Sequence, residues 1–184
     1  MKKTVAVIGS RGAIGNAVVD TLLADESVEA VFKFSRAEIT EHVNKVKHIF
    51  IDIEDEESIK QATESLPEDT KFDLIFVATG ILHDEKNVFP EKSIKDISFD
   101  KLIKVLTINT IGPTLVGKYF IPYLRKDSKS TFAFLSARVG SISDNKLGGW
   151  YSYRASKTAL NQIIRNFSIE VARSNKNAIF IGLQ

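Results

Sequence analysis

Cysteine is absent from this chain, which excludes disulfides, thiolate nucleophiles and cysteine-ligated metal sites and fits a reducing compartment. Histidine is scarce: His42, His48 and His83 are scattered, with no zinc-like spacing among them, so no metal site is expected. A large excess of either charge is missing as well. With 25 Lys and Arg against 23 Asp and Glu, the formal net charge of +2 gives no long-range reason to expect nucleic acid, and a short basic run such as Arg125-Lys126 reads as the coat of a helix end. No apolar run approaches the ~20 residues of a membrane span. Met1-Lys-Lys runs directly into Thr4–Ile8, too short for a signal-peptide core. The expectation is a cytoplasmic protein with neither membrane nor nucleic acid as partner.

What is present suits one globular domain. The 184 residues, 43% apolar and 26% charged, are enough for one real core and too few for two full domains. Apolar runs of strand length, at Thr4–Ile8, Ala30–Phe34, His48–Ile53, Phe72–Thr79, Thr131–Ser136 and Ala178–Leu183, lack polar alternation and read as buried strands. Helix-period segments lie between them at Ala13–Ala24, Glu56–Leu66, Phe99–Leu124 and Tyr151–Ser174, the third bent at Gly112-Pro113. Strand followed by helix, repeated, predicts an α/β fold: a doubly wound parallel sheet of the Rossmann type in three α/β/α layers. Ile81–Ser98 is a long polar connection, either a functional loop or a surface excursion.

Three local patterns carry chemistry. The first strand ends in Gly9-Ser10-Arg11-Gly12-Ala13-Ile14-Gly15 and a helix follows. In that context glycines permit a tight turn and close approach of backbone to a pyrophosphate, and the helix N-terminus offers unpaired N–H groups and a positive dipole end. Dinucleotide binding is expected. The second strand ends near Phe34-Ser35-Arg36, with Ser35 where an NAD site usually places a carboxylate for the ribose hydroxyls. Arg36, with Arg11 in the glycine turn, would clamp a 2′-phosphate through charge-assisted bonds, which favours NADP(H) over NAD(H). Asp52 in Ile51-Asp52-Ile53 is placed either to accept from the adenine amino group or to cap the next helix.

The third pattern is Tyr151-Ser-Tyr153-Arg-Ala-Ser-Lys157 at the head of a helix. Four-residue spacing stacks the Tyr153 phenol and the Lys157 ammonium on one face. A phenol of ordinary pKa, about 10, is a weak acid at neutral pH, and a fixed positive charge nearby favours its phenolate. Such a pair is acid/base equipment for carbonyl chemistry.

Together the glycine turn, Ile108-Asn109-Thr-Ile-Gly112, Ser136-Ala-Arg-Val-Gly140 after a strand, and Tyr153-Arg-Ala-Ser-Lys157 resemble the short-chain dehydrogenase/reductase family in order and spacing. The stretch Ser136–Asn161, with Gly140-Ser-Ile-Ser-Asp-Asn and Gly148-Gly-Trp-Tyr, is similar to its C-factor-like, NADP-dependent branch. The resemblance implies an oxidoreductase interconverting a small-molecule carbonyl and alcohol, in which Tyr153 exchanges a proton with the substrate oxygen while hydride passes to or from the nicotinamide. Lys157 would lower the Tyr153 pKa and bind the nicotinamide ribose, Asn109 would anchor a relay water, and a serine would orient the carbonyl. The implied catalytic group is Asn109, Ser136, Tyr153 and Lys157. The implied cofactor site adds Ala78, Thr79 and Gly80 to the glycine turn, Ser35, Arg36, Asp52 and Ile53, and shares Asn109, Tyr153 and Lys157. Long helices Phe99–Leu124 and Tyr151–Ser174 would build a homodimer or homotetramer.

The chain departs from the family pattern at several points. Its turn reads G-x-x-G-x-x-G rather than G-x-x-x-G-x-G, and Val77-Ala78-Thr79-Gly80 stands where the family has Asn-Asn-Ala-Gly. Counting back from Gly140, the serine position holds Ala137, and Ser136 lies one residue earlier. Neighbouring strand residues face opposite sides, so Ser136 needs a bulge or the strand end to turn it inward, and Ser141 or Ser143 in the following loop are alternatives. Ala178–Gln184 reads as the start of a sixth strand, after which the family continues with a substrate-covering segment and a seventh strand. Residues 1–184 are therefore expected to form a single, apparently truncated NAD(P)-binding domain with an open substrate pocket and impaired turnover. A nucleotide-binding signalling or scaffolding protein of the same fold is the alternative function.

Overall fold

The computed structural model describes residues 2–37, 45–84 and 88–184. Six strands, β1 (Lys3–Ile8), β2 (Val28–Ser35), β3 (Val46–Phe50), β4 (Leu74–Val77), β5 (Ser130–Leu135) and β6 (Ala178–Leu183), form one sheet in the order β3-β2-β1-β4-β5-β6. Every neighbouring pair is parallel. The crossovers carry α1 (Ala13–Ala24), α2 (Glu56–Glu64), α3 (Phe99–Leu106), α4 (Gly112–Phe120) and α5 (Tyr151–Val171). Strand order reverses between β1 and β4, and the crevice beyond their C-terminal ends is where such a sheet receives ligands.

Side-chain alternation along the strands builds two cores. Ala6 and Ile8, Phe32 and Phe34, Ile75 and Val77, Phe132 and Phe134 face one side, against Ile59 of α2, Val116 and Phe120 of α4, and Leu160 and Ile164 of α5. Their neighbours Val5, Val7, Val31, Phe76 and Ala133 face the other side, against Val19 of α1. Aromatic packing ties sheet to helix: the Phe34 and Phe120 rings meet edge to face, centroids 5.1 Å apart.

The doubly wound parallel sheet is as the sequence predicts, with three local differences. The third strand ends at Phe50 rather than Ile53 and lies at a sheet edge, so Phe50 is exposed instead of buried. The expected strand over Phe72–Thr79 shortens to β4, freeing Ala78, Thr79 and Gly80 to line the crevice. The long helix at Phe99–Leu124 is continuous in direction but not in winding. A π turn at Thr107–Ile111 separates α3 from α4, immediately ahead of Gly112-Pro113.

Candidate active site

At the end of β1 the chain turns through Gly9, whose φ of 79° is left-handed. A Cβ at Gly15 would lie 2.2 Å from the Gly9 carbonyl oxygen, so only glycine lets α1 start this close to the strand end. Gly9 and Ser10 donate backbone N–H bonds to the Phe34 carbonyl at 3.0 and 3.2 Å, and the buried Ser10 hydroxyl donates to the same oxygen. Gly12 occupies the N-cap of α1 with no side-chain cap, which leaves the first-turn N–H groups facing the crevice mouth. The other spacing, G-x-x-G-x-x-G, thus closes a working turn.

A cavity of about 450 Å³ opens there, lined by Gly9, Arg11 and Gly12, by Ser35 and Arg36, by Asp52 and Ile53, and by Ala78, Thr79 and Gly80. Ser10 and Gly15 lie beneath its wall, and Ile14 on α1 is half exposed. Sequence reasoning missed Ala37, Ile51, Glu54, Ile81 and Ile108 in the lining. Glu54 matters most: it lies 3.8 Å from Arg36 and 2.7 Å from Lys104, so an acidic group stands beside the expected phosphate clamp. Asp52 is not the helix cap. Asp55 takes that place by accepting from the Glu57 N–H, while one Asp52 oxygen accepts from the Glu54 N–H.

The lining fits a dinucleotide on one further count. Thr79 Oγ1 is shielded from solvent and has no hydrogen-bond partner among the described residues. An orphaned hydroxyl in the wall of a cavity is a group whose partner is supplied by a ligand. No metal site accompanies it: among the described residues no three His, Cys, Asp or Glu side chains gather. His42 lies outside them.

Behind Gly80 the cavity wall backs onto α5. Lys157 is 1% exposed, its Nζ donates to the Leu135 carbonyl at 2.7 Å, and it lies 5.8 Å from the Tyr153 ring centre. Gly80 makes this possible, because a Cβ there would approach Lys157 Nζ to 3.2 Å and Asn109 Oδ1 to 3.4 Å. Asn109, fully buried in the π turn, accepts from the Ile81 N–H at 2.7 Å and donates to the Ile81 carbonyl and to Ser156 Oγ. Ser156 passes the link on by donating to the Tyr153 carbonyl, and Thr110 donates to the Ser156 carbonyl. Asn109, Tyr153 and Lys157 are therefore brought together. Ser156, unremarked in the sequence, is the joint between them.

Burial sets the electrostatics. It holds the Lys157 ammonium down to about 8 and pushes the half-buried Tyr153 phenol above its ordinary value. The sequence expectation that a charged Lys157 lowers the phenol is thus countered by desolvation of both groups. Ser136 lies on a different contact: its hydroxyl donates to Asn161 Oδ1 at 2.6 Å, two helical turns beyond Tyr153 on α5. Ala137 occupies the strand end at the start of the Arg138–Gly140 turn. Ser141 and Ser143 lie on the exposed loop, 3.4 Å from one another.

Comparison with known proteins agrees with the architecture. Over 180 residues the chain is 27% identical to 1-hydroxy-2-glutathionyl-2-methyl-3-butene dehydrogenase of Rhodococcus sp. (strain AD45), covering 97% of this chain and 75% of that protein. Over 79 residues it is 34% identical to the C-signal of Myxococcus xanthus, covering 43% of this chain and 48% of that one. Its fold matches the NADPH-bound carbonyl reductase from chicken fatty liver, with a TM-score of 0.85 at 24% identity over all of this chain and 75% of that one. It also matches the carbonyl reductase Sniffer of D. melanogaster, with a TM-score of 0.86 at 19% identity over all of this chain and 80% of that one. The sequence profile of the family described as short chain dehydrogenase matches residues 3–182. With a parallel sheet in this order, glycines at the crevice and a Tyr–Lys pair packed behind its wall, the chain belongs to the short-chain dehydrogenase family of oxidoreductases.

Proposed function

We propose that this protein is an NADP(H)-dependent oxidoreductase that interconverts a small-molecule carbonyl and its alcohol, with Tyr153 as the proton donor and acceptor. The observation that carries this reading is the buried Lys157 ammonium beside the Tyr153 ring and directly behind Gly80, a residue of the cavity wall. When bound, the nicotinamide supplies or removes the hydride. The protein's part is placement and proton transfer. Tyr153 holds its proton at neutral pH, as an acid that reduces a carbonyl must, and gives it up as charge builds on the substrate oxygen. Lys157 stabilises the phenolate left behind. Pro113 has no N–H to give the Asn109 carbonyl four residues earlier, which leaves that oxygen for a relay water toward Lys157.

Ser35, Arg36 and Arg11 on the cavity wall favour NADP(H). Arg36 keeps an exposed side chain and a long, 3.8 Å ion pair with Glu54 that a phosphate would displace. Replacing Arg11 and Arg36 together by alanine is expected to weaken NADPH binding by about 10²-fold, two charge-assisted contacts' worth, and to leave NADH binding within about twofold. Fluorescence titration of both cofactors checks it, and equal wild-type affinities for NADH and NADPH would remove the assignment.

A second reading, a nucleotide-binding signalling or scaffolding protein with little turnover, is favoured by Ala137 at the family's serine position and by the Ser136 bond to Asn161. For Ser136 to orient a substrate it must leave that bond. Tight NADPH binding with no turnover of any carbonyl would select this reading. In either case the exposed apolar residues of α3 and α5, among them Phe99, Ile103 and Ile169, offer surface for the homodimer or homotetramer that the family resemblance implies.

A further inference from the structure

The segment that delivers the chain into α5 is strained. Gly148, Gly149 and Trp150 all have left-handed φ, at 66°, 66° and 50°, and Trp150 has a side chain that disfavours it. Trp150 is also the N-cap of α5 and provides no side-chain cap. Tyr153 sits in the first turn of this helix, where such ends fray. Something must hold the turn for the phenol to stay in place.

Glu91, in the connection between β4 and α3, meets each of these needs. It is 2% exposed, a buried acidic side chain. One carboxylate oxygen accepts from the Ser152 N–H at 3.2 Å, and the other accepts from the Ser152 hydroxyl. Its backbone carbonyl accepts from the Trp150 N–H at 2.6 Å. A Cβ at Gly149 would come within 3.3 Å of that carbonyl, so the glycine clears room for the approach. A carboxylate at a helix N-terminus is favoured by the dipole and by the free N–H groups. This one arrives from 61 residues away in sequence.

We propose that Glu91 is a positioning residue for Tyr153: it caps α5 in trans, holds the left-handed entry at Trp150 and ties the 81–98 connection to the helix that bears the phenol. Its effect on turnover rests on the reductase reading above, and its effect on the helix does not. The test compares wild-type protein with Glu91→Ala, Glu91→Gln and Ser152→Ala. Amide hydrogen exchange in the first turn of α5 is read by NMR, the Tyr153 phenol is followed through ¹³Cζ-labelled tyrosine, and turnover is measured with NADPH and 4-nitrobenzaldehyde as probe.

In Glu91→Ala, exchange at Ser152 and Tyr153 is expected to rise at least about tenfold, the loss of one to two hydrogen bonds. Release of the phenol from its buried place lowers its titration midpoint toward the ordinary value of about 10. Turnover falls by about 10²-fold, as displacement of a reacting group by an ångström does, while NADPH affinity stays within about twofold. Glu91→Gln, which keeps an acceptor for the Ser152 N–H, restores turnover to within about fivefold of wild type. Unchanged exchange and an unshifted phenol in Glu91→Ala, or turnover lowered equally by Glu91→Gln and Glu91→Ala, would overturn the proposal. If Glu91→Ala does not fold, Ser152→Ala decides: faster first-turn exchange supports the cap and wild-type exchange refutes it. If the wild type turns over no carbonyl, the reductase reading fails, and the exchange and phenol measurements still decide the role of Glu91.

Discussion

Tyr153→Phe is expected to lower carbonyl turnover by about 10³-fold, the usual worth of a positioned general acid, while leaving NADPH affinity within about twofold. The substitution removes one oxygen and keeps the ring. That ring is what packs edge-on to Trp150 at 6.3 Å and stands beside the Lys157 ammonium, so the fold around it is unaltered. The Ser156 hydroxyl donates to the Tyr153 backbone carbonyl, a bond that the substitution also keeps. The loss therefore falls on kcat rather than on cofactor binding. Stopped-flow measurement of NADPH oxidation, with fluorescence titration of the same two proteins, separates the quantities. A Phe variant that retains more than about a tenth of wild-type turnover would assign the proton to another group.

Lys157→Met is expected to abolish turnover and, at neutral pH, to stabilise the folded protein. Lys157 is 1% exposed and its ammonium is held to about 8 by burial, against an unfolded value near 10.5. The unfolded chain keeps that proton up to higher pH than the folded one does. Below pH 8 the native state therefore carries the full penalty of a buried charge, about 3 kcal/mol for a shift of this size. Between about pH 8 and 10.5 the penalty disappears, so wild-type stability rises with pH relative to the variant. Methionine fills similar volume but leaves the Leu135 carbonyl without its 2.7 Å donor, which offsets about 1 kcal/mol. The net expectation is a variant about 2 kcal/mol more stable at pH 7 and no more stable than wild type at pH 10. Urea unfolding at both pH values checks the sign, and a variant less stable at pH 7 would show that the ammonium is better compensated than its burial implies.

Such a stability cost at Lys157 marks a boundary in what the sequence makes legible. Glycine spacing, strand-length apolar runs and the Tyr153–Lys157 interval are local patterns, and each reads directly because neighbouring residues decide it. The depth of Lys157 is not local. It depends on Gly80 in the segment after β4 and Asn109 from the π turn closing over α5, contacts made only when the sheet is assembled. Gly112-Pro113 signals a break in the third helix, but the unwinding falls at Thr107–Ile111, because the missing N–H of Pro113 affects the turn before it.

Edge position is likewise a property of the whole sheet: β3 has the composition of a buried strand and lies at the margin. The helix start at Glu56 was legible and makes the residue before it, Asp55, the cap, so the alternative of Asp52 as a cap falls. Glu54 and Glu91 carried no signal at all. Each is one acidic residue in a polar stretch, and its meaning comes from a partner far along the chain, Lys104 for the first and Ser152 for the second. Ser136 shows the limit from the other side, since its position relative to Gly140 was countable but its partner Asn161 was not.

The claim on which the rest depends is that this crevice moves hydride between a nicotinamide and a carbonyl carbon. The most direct measurement uses NADPH deuterated at C4, prepared in each of the two stereochemical forms, with the full chain and a panel of aldehydes and ketones, followed by mass spectrometry of the alcohols. Deuterium on the carbinol carbon from one form and not the other, with transfer slowed by about 10³-fold in Tyr153→Phe, is the predicted result. NADPH bound tightly, with deuterium from neither form reaching any product, would contradict it.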